Sequence, residues 1–355
     1  MIAFVEAKRP DYERVRDLLA RSEASGLWSN FGPVSLQLEE TVAESLDLSS
    51  GRRVVACANG TVALHGLVQL YEHLAGRPLR WVVSAFTFYA QRQGPLAGAL
   101  VLDCDEQGFL DPDALAALPL DSYDGIMVTN LFGTALHVER YEELAARAGK
   151  ILLFDSATCF GSAYRGRPFG GLGAGEVFSF HHTKPCGFGE GGGVVVPSGL
   201  EDTFRSLINF GLYKGIDTGT RSSNGKMSDV AAAFILDRLS RREEIRAAHR
   251  QQFRRLAGIA RELGLSLLVN GEQAGVLPNL VPILFPHPVR PERLSGGPLI
   301  VHKYYRPVAP RPRADAVYAR IVCFPCHGGV AQVPDSELHA ALAALMRIED
   351  GNALS

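Results

Sequence analysis

No stretch of this chain is apolar for long enough to cross a membrane, and the segment Met1 to Pro10 holds no run of signal-peptide length. Charge of one sign is not in excess either. Lys and Arg number 36 against 38 Asp and Glu, a net of −2, which gives no reason to expect nucleic acid or a membrane surface as partner. There is no internal repeat and no low-complexity tail. The six cysteines, Cys57, Cys104, Cys159, Cys186, Cys323 and Cys326, are scattered, and read as buried or near-site thiols rather than a disulfide framework. Cys323-Phe324-Pro325-Cys326-His327 spells a haem-attachment site, but that chemistry belongs to exported proteins, and no export signal is seen. His181 and His182 adjoin, yet no further His or Cys at ligand spacing completes a metal site. These absences leave the cytoplasm as the expected compartment.

What is present is an ordinary globular balance, 46% apolar and 21% charged, in 355 residues. That length exceeds the usual limit for one core and favours two domains. Seven short, nearly all-apolar runs suit strands buried on both faces: Val54 to Ala56, Trp81 to Ser84, Ala99 to Asp103, Ile126 to Thr129, Ile151 to Asp155, Val177 to Phe180 and Val194 to Val196. Helical patterns at Val62 to His73 and Tyr141 to Ala148 lie between them, so an α/β domain with a largely parallel sheet is expected. From Ser228 to Leu263 one long helix is expected, capped by Ser228 and Asp229. Beyond it, Asn279 to Phe285, Leu299 to Tyr305 and Val317 to Phe324 are expected to pair as a small sheet, with Pro286 to Arg293 and Pro307 to Arg313 as connections. Asp335 to Ile348 reads as a closing helix. The expected layout is a large domain over 1–230, then a linking helix and small domain over 231–355.

Chemistry concentrates at Lys184. The run Val177 to Thr183 delivers this lysine beside Gly189-Glu190-Gly191-Gly192-Gly193, and an amine that loses solvation there becomes a nucleophile able to form a Schiff base. Asp155 ends another buried strand. A lysine to hold an aldehyde and a carboxylate to keep a ring nitrogen protonated are what pyridoxal 5'-phosphate (PLP) requires. Asn59-Gly60-Thr61 opens a helix whose free N–H groups suit a phosphate, although a threonine-capped turn would look the same. Phe88 follows the strand at Trp81 to Ser84, where an aromatic serves either the core or a planar ring. Gly187-Phe188-Gly189-Glu190-Gly191-Gly192 spells a dinucleotide fingerprint, but a strand follows where that motif needs a helix, which excludes NAD.

Taken together the pieces resemble the DegT/StrS family of PLP-dependent sugar aminotransferases. The order runs Gly32-Pro33, Leu38-Glu39, Asn59 to Leu64, Thr87-Phe88, Val101-Leu102-Asp103, Asn130-Leu131-Phe132-Gly133, Asp155-Ser156-Ala157, Phe178-Ser179-Phe180 with Lys184, Gly189 to Gly192, Asn224-Gly225-Lys226-Met227, Ala231-Ala232 and Pro325-Cys326-His327. The resemblance implies the fold-type I aminotransferase architecture: a mostly parallel seven-stranded sheet plus a smaller α+β carboxyl-terminal domain. It implies that Lys184 carries the cofactor and shuttles the proton, with Asp155 on the ring nitrogen and Phe88 stacked on the ring. Gly60, Thr61 and Ser179 would hold the phosphate. Asn224 would reach into a neighbouring subunit's site, which implies a homodimer with shared active sites.

Two positions depart from the pattern. Thr158 stands where a longer Gln or His usually bonds the cofactor's phenolic oxygen, and Lys226 stands where an arginine is usual. Residues 279–305, near the family's substrate end, match poorly. The expected activity is transfer of the amine of L-glutamate to a nucleotide-linked keto-deoxysugar. A ketocyclitol or another small antibiotic precursor is the alternative acceptor. A dehydratase of this fold would carry His in place of Lys184. A PLP-binding regulator would need a further domain, for which the chain shows no basic patch or spare length.

Overall fold

The computed structural model describes residues 1–347. Its centre is a seven-stranded sheet of β1 (Arg52–Cys57), β2 (Trp81–Ser84), β3 (Leu100–Leu102), β4 (Gly125–Thr129), β5 (Ile151–Asp155), β6 (Gly175–Ser179) and β7 (Gly192–Pro197), in the order β1-β7-β6-β5-β4-β2-β3. All seven apolar runs became strands of this sheet. β3, β2, β4, β5 and β6 are parallel, while β7 runs antiparallel to both β6 and β1.

Alternation along each strand sends side chains to two cores. Val55, Val177 and Val194 pack with Leu64, Leu67 and Val68 of the helix Gly60–Ala75. Val54, Phe178 and Val195 pack on the other side with Val34, Leu38 and Val42 of the helix Pro33–Ser45. Both faces are therefore covered, as a parallel sheet demands. In such a sheet the crevice beyond the carboxyl ends of the strands is where ligands bind, and β5 and β6 end there at Asp155 and Ser179.

The structure corrects the sequence reading in three places. The expected single helix from Ser228 is two, Asp229–Leu239 and Arg242–Glu262. Ser240 Oγ turns back to donate to the Asp237 carbonyl (2.7 Å), and Arg241 N reaches only Arg238 O, an i−3 bond that tightens the chain and ends the first helix. The small sheet holds Ser266–Leu267, Leu280–Leu284 and Ile321–Pro325. Residues 299–305 form no strand, and their backbone pairs with neighbouring chain at single bridges, Leu299 with Ile2 and His302 with Cys323. Residues 312–320, expected as linker and strand, are a helix opened by Pro312 at its first turn, where a missing N–H costs nothing. The closing helix runs Asp335–Met346, and Ile348 lies outside the described residues. All six cysteines are buried and unbridged. Among the described residues no helix is long and apolar enough to cross a membrane.

Candidate active site

Asp155 is 5% exposed at the end of β5, and forms no ion pair within the described residues. Its Oδ2 accepts from Gln91 Nε2 (2.8 Å) and its Oδ1 from the Ala157 N–H (3.2 Å). Burial pushes its carboxyl up, against those two hydrogen bonds and the charge of Lys184. A buried carboxylate with no cationic partner is costly unless something else meets its charge.

Lys184 follows β6 through a turn in which its own N–H donates to His181 O (2.8 Å). Its side-chain amine makes no hydrogen bond or salt bridge within the described residues. Burial pushes the ammonium down, and Asp155 and Cys159 oppose this. The amine is thus poised toward its neutral, nucleophilic form while facing the acid.

A third group lies at the start of the helix Gly60–Ala75. Asn59 caps it, its Oδ1 accepting from Val62 N (2.9 Å), which leaves the N–H groups of Gly60 and Thr61 directed outward. A methyl built on Gly60 would stand 3.0 Å from Ser179 Cβ and 3.3 Å from its Oγ, so the end of β6 meets this helix start directly. A methyl on Gly192 would collide with Asn59 at 2.4 Å, so only glycine lets β7 close against the same turn. Gly60 and Ser179 thus meet at a helix amino terminus, a place whose free N–H groups favour an anion.

Phe88 is 53% exposed and meets Tyr305 edge-on (6.4 Å). Thr158 is buried, and its Oγ1 lies 3.4 Å from both Asn130 O and Gly133 N. Asn224 lies away from Lys184 and Asp155 in the chain's own contacts. Its side chain is exposed and accepts from Lys226 Nζ (2.7 Å), while the adjacent Gly225 carbonyl accepts from Ala58 N (2.8 Å), just before the phosphate-type turn. His181 and His182 stand in the turn past β6. His181 Nδ1 bonds Thr183 Oγ1 (2.8 Å), and the His182 ring packs against Phe188.

Sequence reasoning missed four residues. Tyr305 comes from the poorly matching stretch and stacks on Phe132 (5.4 Å, 9°). Burial, then the nearby Asp155 charge, push its phenol well above its usual value. Gln91 bridges Asp155 to Thr129. Lys8 Nζ donates to the carbonyls of His182 (2.7 Å), Lys184 (2.5 Å) and Gly187 (2.6 Å), and gathers the turn that carries the lysine. Burial, with Arg238 beside it, pushes the Lys8 ammonium down to about 7, and the charges of Glu6 and Cys186 oppose this. Arg238 Nε adds a bond to Pro185 O (2.9 Å), and its guanidinium pairs with Glu6. No local pattern marks Lys8, because its partners lie 174 to 179 residues away. Replacing Lys8 with Met is expected to cost about 3 kcal/mol of unfolding free energy by leaving several carbonyls unsatisfied, and a denaturant titration measures it.

The profile of the DegT/DnrJ/EryC1/StrS aminotransferase family matches residues 11–290, and the chain belongs to that family. Protein Rv3402c of Mycobacterium tuberculosis (strain H37Rv) is 30% identical over 254 residues, 67% of this chain and 60% of that protein. GDP-perosamine synthase of Caulobacter vibrioides is 28% identical over 230 residues, 62% of this chain and 60% of the synthase. The matched stretch thus spans about 60% of the length of these relatives. The crystal structure of DesI in the presence of its TDP-sugar product superposes with a TM-score of 0.77 at 28% identity, over 95% of this chain and 90% of that one. The fold is that of the fold-type I aminotransferases.

Proposed function

We propose that this chain is a PLP-dependent aminotransferase that takes the amino group of L-glutamate and delivers it to the ketone of a nucleotide-linked deoxysugar. The observation that carries the reading is the Lys184 amine, without a hydrogen bond among the described residues, held near a buried Asp155 with which no cation makes an ion pair. The residues present fit the cofactor, because a buried carboxylate of this kind needs a proton-bearing cation beside it. PLP supplies an electron sink for the carbon that exchanges its amine.

The chain's own groups do the rest. Lys184 would hold the aldehyde, and its amine, once freed, would take up and return a proton as base and acid. Asp155 would keep a proton on the ring nitrogen. The N–H groups of Gly60 and Thr61 with the Ser179 hydroxyl would hold the phosphate, and the exposed Phe88 would receive the ring. Asn224 acts in the neighbouring subunit of a homodimer. In support, Phe210 and Leu212 are 67% and 61% exposed beside that segment, with Phe210 N donating to Ser223 O (3.0 Å). The DesI and GDP-perosamine synthase likenesses support a nucleotide-sugar acceptor.

Absorbance of the protein loaded with PLP tests this. A yellow band is expected that bleaches on addition of L-glutamate and returns when a keto nucleotide sugar is added. A band that no amino donor bleaches would sink the reading, and recovery with a ketocyclitol alone would move the acceptor to that class.

A further inference from the structure

Gln91 is fully buried, yet no motif and no role assigned above uses it. Its Nε2 donates to Thr129 Oγ1 (2.6 Å) and to Asp155 Oδ2 (2.8 Å), and Thr129 Oγ1 in turn lies 2.6 Å from Thr87 Oγ1. Both donors of the amide are spent. Its acceptor, Oε1, is buried with no partner at all. An orphaned buried acceptor is costly and needs a compensating gain.

The gain lies in the charge of Asp155. Turning the amide over would place Oε1 against Oδ2, two acceptors in contact, which only a protonated Asp155 would tolerate. The observed orientation fits an ionised acid. Gln91 is also neutral. An arginine or lysine here would neutralise the carboxylate, whereas an amide steadies its position and leaves its full charge for another partner.

We propose that Gln91 is a positioning residue that fixes Asp155 in place as an anion, leaving its charge to be met by the protonated ring nitrogen of the cofactor. This rests on the reading of Asp155 given above. Gln91 touches neither substrate nor cofactor in this role, and it acts through the acid alone. Losing it makes Asp155 more basic and drains protonation from the ring, so the amine linked to the ring holds its own proton to higher pH.

The test is a pH titration of the visible band of the protein with PLP bound at Lys184, in the wild type, Gln91→Met, Asp155→Asn and the double variant. The midpoint is expected to rise by about one pH unit in Gln91→Met, the worth of one hydrogen bond to a charged group. It is expected to rise further in Asp155→Asn, with no added shift in the double variant. Gln91→Asn keeps an amide one methylene too short to bridge, and it carries the same expectation if the Met variant does not fold. An unchanged midpoint in a folded Gln91 variant, with Asp155→Asn shifted, overturns the proposal. Additive shifts in the double variant overturn it too, because Gln91 would then act by another route. An unchanged midpoint in Asp155→Asn overturns instead the reading of the acid on which it rests.

Discussion

Replacing Lys184 with alanine is expected to leave less than about one-thousandth of the wild-type transamination rate, measured as 2-oxoglutarate released from L-glutamate. The size of the effect comes from one amine serving two roles, nucleophile and proton carrier, with no neighbour able to replace it. Lys8, a nearby amine, is committed to three carbonyls of the turn below. The loss is not expected to come from misfolding. The Lys184 side chain makes no hydrogen bond within the described residues, and burial already disfavours its charge, so the variant is expected to unfold no more readily than the wild type. Normal turnover in a folded Lys184→Ala protein would remove this site from the reaction.

Asp155→Asn is expected to slow turnover by roughly 100-fold or more, the scale for deleting a charge aimed at a developing one in a water-poor site. The substitution keeps the shape, and Gln91 can turn its amide so that its free Oε1 accepts from the new side chain. The fold is therefore retained. Stability without cofactor carries an opposite signature. Burial raises the Asp155 carboxyl above its ordinary 3.8, so the native chain holds that proton to higher pH than the unfolded chain does. Its contribution is thus present below 3.8 and is lost as pH rises through the folded value. Asp155→Asn lacks that loss, and it is expected to match or exceed the wild type in thermal unfolding at neutral pH. A variant both less stable and fully active would contradict the placement of this charge.

The large sheet was legible because its strands are buried on both faces: Ile151 to Asp155 could satisfy its apolar side chains in few other ways, and its end announced the acid. Lys184 and Gly60 stood out through the glycines and the strand end beside them, whereas Ser179 was expected only from the resemblance. Failure begins where partners are distant in sequence. The small unit's residues 312–320 show a helical pattern behind Pro312 that competes with the β-rich run into Ile321, and the proline's fit to a first turn decided it. Ser228 to Leu263 carries no proline, and its one glycine, Gly258, lies well inside the second helix, so nothing local announces the break, which rests on Ser240 and on the tertiary use of Arg238. Gln91 and Tyr305 are ordinary residues in their local setting, and only folding brings them to Asp155.

The first eight residues have a further consequence. Ile2 pairs with Leu299, and the Ala3 carbonyl accepts from His327 Nε2 (2.9 Å), while Lys8 grips the turn holding Lys184. The segment is a short tether with one end on Leu299 and His327 of the carboxyl-terminal part and the other on the backbone of the turn that carries Lys184. Slack in it is small, since six residues of extended chain span only about 20 Å. A shift of the carboxyl-terminal part at Leu299 or His327 therefore pulls on the lysine turn, so the two regions keep a common register through this strap.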